Sequence, residues 1–162
     1  MSSTRSESAA MPSAYLVDSN VLVYAVDRRS PTKQAAAVDL LSALMSHGTA
    51  ALTTQVLAEF LTTVTRKIPE PLSPGEAWDR LTELAGSFPV HEVSLPIVLE
   101  AARAVRDHGM SYWDAQVWAT AKLNQIPSVL SEDLQGWQSL EGVRFLNPFA
   151  KGFDLTRFTR GG

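Results

Sequence analysis

Strand-length apolar runs alternate with helix-length periodic segments along almost the whole chain, and this alternation constrains the fold more than any other feature. The runs fall at residues 14–17, 50–53, 90–93, 128–130 and 143–146. Between them, Ser19 towards Val26 reads as a short helix. Ser30-Pro31 opens a second, with Ser as N-cap and Pro at the first helical position. Ala35, Val38, Leu41 and Leu44 form its expected buried stripe, and His47-Gly48 closes it. A third helix carries Val56, Leu57, Phe60, Leu61 and Val64. Ser73-Pro74-Gly75-Glu76 is a capping box that starts a fourth through Trp78, Leu81 and Leu84. Further helices begin near Ser94-Leu95-Pro96 and at Ser111. Strand–helix alternation predicts an α/β fold: a mostly parallel five-stranded sheet with helices on both faces. Ligands of such sheets bind beyond the carboxyl ends of the strands, where the strand order reverses.

Composition narrows the function. The 162 residues fit one domain, and 45% hydrophobic content can bury a core without staples. With no cysteine, disulfides and thiolate metal sites are excluded. No apolar run approaches the ~20 residues that span a bilayer, so no membrane partner is expected. Residues 1–13 lack the apolar core of a secretory signal and read as a disordered lead-in, with Met11 an alternative start to Met1. Residues 14–150 are then the domain, 151–162 a C-terminal tail, and the expected compartment is the cytoplasm. A net charge of −3 does not advertise nucleic-acid binding. That argument weakens if a metal ion, rather than arginine, meets the phosphate.

The chemistry is carried by acids. Asp18 follows the first apolar run, in Tyr-Leu-Val-Asp-Ser-Asn, and Asp133 lies just past the fourth, in Val-Leu-Ser-Glu-Asp-Leu. Both are predicted at the carboxyl edge of the sheet. Glu59 interrupts an apolar helix face, and Asp114 sits in the first turn of the helix starting at Ser111. Two carboxylates ~4 Å apart repel by about 4 kcal/mol at an effective dielectric of about 20, so a cluster must protonate or bind a cation. Oxygen ligands without Cys or an organised His set point to Mg²⁺, with Mn²⁺ as a substitute. Each acid also has a plainer reading. Asp18 suits an N-cap, Asp114 a capping pattern with Ser111, and Asp133 a turn. Glu59 is hardest to dismiss, because acids are rarely buried unless paired.

Three stretches resemble the PIN-domain family, and specifically VapC-type toxins: Leu-Val-Asp-Ser-Asn-Val-Leu-Val-Tyr (16–24), Ser-Tyr-Trp-Asp-Ala (111–115) and Leu-Ser-Glu-Asp-Leu-Gln (130–135). The ending Gly142-Val-Arg-Phe-Leu-Asn-Pro-Phe149 is also similar to that family, so the likeness covers roughly residues 14–150. It implies a PIN-like three-layer fold and a Mg²⁺-dependent endoribonuclease toxin of a type II toxin–antitoxin pair. Asp18, Glu59, Asp114 and Asp133 would be the metal-binding and catalytic acids, Asn20 would support Asp18, and Ser131 would lie beside the site. Water activated on the metal would cleave RNA to a 5′-phosphate and a 3′-hydroxyl. The implied partners are the RNA substrate, a homodimeric second copy, and a VapB-like antitoxin whose C-terminal segment covers the acids. Similar chains often carry a further acid where this one has Gly136-Trp137. Glu132 is open to that role but is expected to be solvated.

Arg28, Arg29, Lys33, Arg66 and Lys67 are candidates for RNA-backbone contacts, which fix register without reading sequence. Taken singly, each reads more readily as a solvated helix-end charge favourable to the dipole. Trp113 and Trp118 fall on different helix faces, so at least one is expected in the core. Trp137 reads as a packed loop residue rather than a base-stacking one. His47, His91 and His108 show no ligand spacing. A haloacid-dehalogenase-type phosphatase needs a second acid where this chain has Asn20. The Gly-rich turns of dinucleotide-binding and P-loop folds are absent. The rival that survives is a catalytically silent module that keeps the fold to engage a protein.

Overall fold

Val17 and Leu130 are paired neighbours on the two central strands of the sheet that organises the chain. A computed structural model describes residues 13–134 and 136–159. The strands are β1 (Tyr15–Val17), β2 (Ala50–Thr53), β3 (Val90–His91), β4 (Ser128–Leu130), β5 (Ser139–Leu140) and β6 (Val143–Leu146), in spatial order β3-β2-β1-β4-β6-β5. Every neighbouring pair is parallel except β5–β6. The helices are α1 (Ser19–Tyr24), α2 (Pro31–His47), α3 (Thr54–Arg66), α4 (Pro74–Ser87), α5 (Leu95–His108), α6 (Tyr112–Leu123) and α7 (Thr156–Thr159). All residues of β2 and β4 are buried, as expected of parallel strands covered on both faces.

The sheet has six strands rather than five. Glu141 and Gly142 both take positive φ, 45° and 87°, which makes a two-residue primed turn and folds Ser139–Leu140 back on β6. The added strand is two residues long, too short to show a period. It is fixed from below: the indole of the fully buried Trp118 donates to the Leu140 carbonyl at 3.1 Å. Arg103 and Lys122 hold the Glu141 carboxylate from α5 and α6.

The helix signals behave mostly as read. Ser73 and Glu76 form the reciprocal capping box of α4. Gly48 ends α2 at φ 60°, a conformation open to glycine without a Cβ penalty. The buried face of α2 differs from the expected one. Ala37, Leu40 and Leu44 are buried and Leu41 is half-buried, whereas Ala35 and Val38 are exposed. An i, i+3 series drifts round a helix of 3.6 residues per turn, and the core takes the 37–40–44 line instead. Val38 lines an apolar cleft with Met45 and Leu84. In α3, Val56, Phe60 and Val64 are buried, and Leu61 faces outward. Helix α6 is buried from Ala115 to Ala121, so it is a central helix without a solvent stripe.

Within residues 151–159, Phe153 and Leu155 pack on the core and α7 lies against α2. Residues 1–12 of the expected lead-in, including the choice between Met1 and Met11, lie outside the described residues. Among the described residues, no helix is long and apolar enough to cross a membrane.

Candidate active site

The chain lays down β2 and β3 on one side of β1, then places β4 and β6 on the other. The order therefore reverses between β1 and β4, and the crevice beyond their carboxyl ends is where an α/β sheet offers a ligand site. Asp18 leaves β1 at this point, and its backbone N–H donates to the Leu130 carbonyl at 2.9 Å. Ser131 leaves β4 beside it.

Asp18 is buried at 7% exposure and serves two structural purposes. It caps α1, its Oδ1 accepting from the Ser19 N–H at 2.8 Å, and its Oδ2 accepts from the Ser131 hydroxyl at 2.7 Å. Asn20 completes the link: its Nδ2 donates to Ser131 Oγ at 2.8 Å and its Oδ1 accepts from the Glu132 N–H at 3.1 Å. Asn20 thus acts on Asp18 through Ser131. The same Ser131 Oγ accepts from the Asp133 N–H at 3.2 Å, which sets the start of the loop carrying Asp133.

Glu59 reaches the site from α3, whose start is fixed by the buried Thr53 hydroxyl accepting from the Val56 N–H at 3.0 Å. The two Glu59 oxygens accept from the Ser19 hydroxyl and from Gln55 Nε2, both at 2.8 Å. Gln55 is in turn held by the Trp113 carbonyl and by Gln116, whose own oxygen accepts from the Tyr112 hydroxyl. Asp114 stands in the first turn of α6. Ser111 makes no side-chain cap there and donates its hydroxyl to Asp114 Oδ2 at 2.8 Å.

Asp18, Glu59, Asp114 and Asp133, from four separate segments, line one pocket of about 150 Å³ with Asn20 and Trp113. Their charges are mutually felt. Burial pushes the Asp18 carboxyl up from 3.8 to about 6; hydrogen bonds from Ser131 and Ser19 oppose the rise, and Glu59 and Asp114 add to it. The Asp114 carboxyl is raised by burial, opposed by Ser111, with Asp133 and Glu59 adding to the rise. Among the described residues, no three His, Cys, Asp or Glu side chains are close enough to form a ready-made metal group. Like charges relax apart, and here neutral hydroxyl and amide donors occupy their oxygens. Four carboxylates, with no lysine or arginine among the described residues of the pocket wall, nevertheless form a donor set that fits a hard divalent cation.

The basic candidates do not gather at the acids. Arg28 and Arg29 are exposed after α1, and Arg66 is exposed at the end of α3. Lys33 pairs with Glu132 at 2.9 Å and lies over the Tyr24 ring, and Tyr24 donates its hydroxyl to the same carboxylate. Glu132 is therefore a half-buried, paired residue rather than a solvated one. Only Lys67 of the five borders a groove that Glu59 also lines. Trp118 is core, Trp113 is 62% exposed, and Trp137 is packed edge-on to His108. Sequence reading missed Ser19 and Gln55 as partners of the acids. The signals were adjacency to Asp18 and an i, i+4 spacing to Glu59.

The PIN domain family model matches residues 15–140. A comparison by sequence with curated proteins returned no match. Solved structures share the fold at low identity. A toxin–antitoxin complex from Klebsiella pneumoniae is 18% identical with a TM-score of 0.60, over 83% of this chain and 98% of that one. VapBC bound to DNA from Salmonella typhimurium is 11% identical with a TM-score of 0.63, over 84% and 98%. VapC20 of Mycobacterium tuberculosis, a toxin that cleaves the sarcin–ricin loop, is 17% identical with a TM-score of 0.52, over 71% and 86%.

Proposed function

The chain belongs to the PIN domain family, and from that premise we propose that it is a Mg²⁺-dependent endoribonuclease, the VapC-like toxin of a toxin–antitoxin pair. The observation that carries this reading is the lining of one pocket, at the point where strand order reverses, by Asp18, Glu59, Asp114 and Asp133. The reaction is hydrolysis of an RNA phosphodiester. Water oxygen bonds to phosphorus, the bond to the 3′ oxygen breaks, and that oxygen takes up a proton, leaving a 5′-phosphate and a 3′-hydroxyl.

The protein's own part in this is positioning. The four acids would hold Mg²⁺, with Mn²⁺ able to substitute. When bound, the ion supplies a Lewis acid that neutralises the phosphodiester and eases deprotonation of water. Ser131, set by Asn20, fixes the Asp18 carboxylate; Ser19 and Gln55 fix that of Glu59; Ser111 fixes that of Asp114. A cation held there would offset the charge that burial makes costly on Asp18.

The reading also includes a VapB-like antitoxin whose C-terminal segment covers the acids, a homodimer, and a cytoplasmic location. Residues 14–150 would form the catalytic domain. Structural likeness to toxin–antitoxin complexes supports the antitoxin. The test is cleavage of total RNA by purified protein: EDTA abolishes it, Mg²⁺ or Mn²⁺ restores it, and Asp18→Ala lacks it. Protein that engages its partner yet leaves every RNA intact at any metal concentration establishes the silent binding module instead.

A further inference from the structure

Three of the four pocket acids have a carboxylate oxygen held by a side-chain donor: Ser131 on Asp18, Ser19 and Gln55 on Glu59, and Ser111 on Asp114. Among the described residues, nothing donates to the Asp133 carboxylate, and Asp133 is exposed although it lines the same pocket. It stands in the irregular stretch between β4 and β5, where its charge adds to the rise of the Asp114 carboxyl. Repulsion alone would swing it away from the other acids. Its place therefore depends on the backbone that carries it, and that backbone is tied down one residue earlier. The Glu132 N–H donates to Asn20 Oδ1 at 3.1 Å, and two helices grip its carboxylate. Lys33 Nζ on α2 donates to both oxygens, at 2.9 and 3.0 Å, and the Tyr24 hydroxyl on α1 donates to Oε1 at 3.1 Å. Lys33 also donates to the Tyr24 hydroxyl at 3.2 Å, which closes a triangle. Asn20 and Tyr24 are four residues apart, so one face of α1 holds both the backbone and the side chain of Glu132. Phe149 backs the group, edge-on to Tyr24 at 4.9 Å.

We infer that Lys33, Tyr24 and Glu132 are positioning residues that hold Asp133 in the acidic pocket, and that Lys33 serves this brace rather than the RNA backbone. The inference rests on the ribonuclease reading for the cation that Asp133 would help to hold. Both Glu132 oxygens are already occupied, so Glu132 is a strut and not a fifth acid of the pocket. The Lys33 and Glu132 side chains are 40% and 24% exposed, and a pair so wet contributes little to stability. What it fixes is geometry. Groups standing behind metal ligands cost roughly ten- to a hundredfold in metal affinity or activity when lost.

The experiment is calorimetric titration of the full chain with Mn²⁺ alone, beside thermal melts and amide hydrogen exchange in EDTA. Lys33→Met and Glu132→Gln are each expected to weaken Mn²⁺ binding roughly tenfold. Each should shift the melting temperature by less than about 4 °C and speed exchange of the Asp133 amide. The double variant binds no more weakly than either single one, since both remove the same contact. Lys33→Arg, which still offers two donors to a carboxylate, keeps most of the affinity. Tyr24→Phe loses less than Lys33→Met. Wild-type Mn²⁺ affinity in both single variants overturns the inference, and so do additive losses in the double variant. A Lys33→Met protein that binds Mn²⁺ normally but cleaves total RNA with reduced salt dependence also overturns it, because Lys33 then contacts phosphate. The ribonuclease reading fails separately. Variants weakened as described, in a protein that cleaves no RNA, defeat that reading and leave the brace standing. Cleavage with undiminished Mn²⁺ affinity in every variant removes the brace alone, and a wild type that binds no Mn²⁺ removes both.

Discussion

Ser131 donates its hydroxyl to Asp18 Oδ2 at 2.7 Å across 113 residues of chain, and this one bond joins the ends of β1 and β4. The same oxygen accepts from Asn20 and from the Asp133 N–H, so a single hydroxyl orients two of the four acids. Ser131→Ala removes the donor and leaves the Asn20 amide and the Asp133 N–H without their acceptor. The expected outcome is a loss of about 1–2 kcal/mol in stability and at least a tenfold drop in metal-dependent cleavage. Urea unfolding and a cleavage time course measure the two effects. Wild-type cleavage in this variant would show that Asp18 needs no such support.

Removing a charge from the acidic pocket should stabilise the metal-free protein. Burial, with Glu59 and Asp114 adding to it, raises the Asp18 carboxyl from 3.8 to about 6, so ionising it costs native-state stability progressively above about pH 4 and in full above about pH 6. At neutral pH the native state therefore carries an unfavourable charge that Asn does not. In EDTA at pH 7.5, Asp18→Asn is expected to melt above the wild type. On adding Mg²⁺ the order reverses, because only the wild type gains from binding. A lower melting temperature for the variant in EDTA would contradict the electrostatic strain assigned to this pocket.

The sheet, six of the helices and the identity of the four pocket acids were legible because each leaves a local mark. Parallel buried strands read as apolar runs, caps as Ser-Pro or Gly, and an acid directly after a strand as an edge residue. What escaped depends on distant partners. Strand β5 exists because Trp118 and the Glu141 carboxylate hold a two-residue segment, and neither contact is local in sequence. The pairing of Glu132 with Lys33 joins residues 99 apart, so the charge at 132 looked solvated. The inward face of α2 was misread because Ala35, Val38, Leu41 and Leu44 are as apolar as Ala37, Leu40 and Leu44, and only the packing selects between them.

Thr53 connects local structure to the site. Its hydroxyl caps α3 from a fully buried position, and Glu59 projects from the second turn of that helix. Thr53→Ala is expected to cost about 1–2 kcal/mol through the lost cap and to lower metal affinity by displacing Glu59. Thr53→Ser, which keeps the hydroxyl, should restore both. Calorimetric titration with Mn²⁺ together with thermal melts provides the check. Equal metal affinity in the Ala variant would mean that Glu59 is positioned by Ser19 and Gln55 alone.

Glu100 on α5 gives the acid limb of the stability profile. Hydrogen bonds from Arg103 and Lys122 lower its carboxyl from 4.5 to about 2, and its side chain is 19% exposed. A depressed carboxyl contributes stability that is fully present above the unfolded value of 4.5 and is lost as pH falls through about 2. Because the group is partly solvated, the contribution is about 1–2 kcal/mol rather than the full linkage value. Glu100→Gln removes it, so the stability gap between wild type and variant should be constant above pH 5 and shrink progressively below pH 4.5. The affected segment is predictable too. Arg103 and Lys122 also hold Glu141, so acid should loosen the β5–β6 turn before the β1–β4 centre. Denaturant unfolding at several pH values, with hydrogen exchange at Val143, measures both. A gap that stays unchanged down to pH 2.5 would remove Glu100 from the set of groups that stabilise the fold.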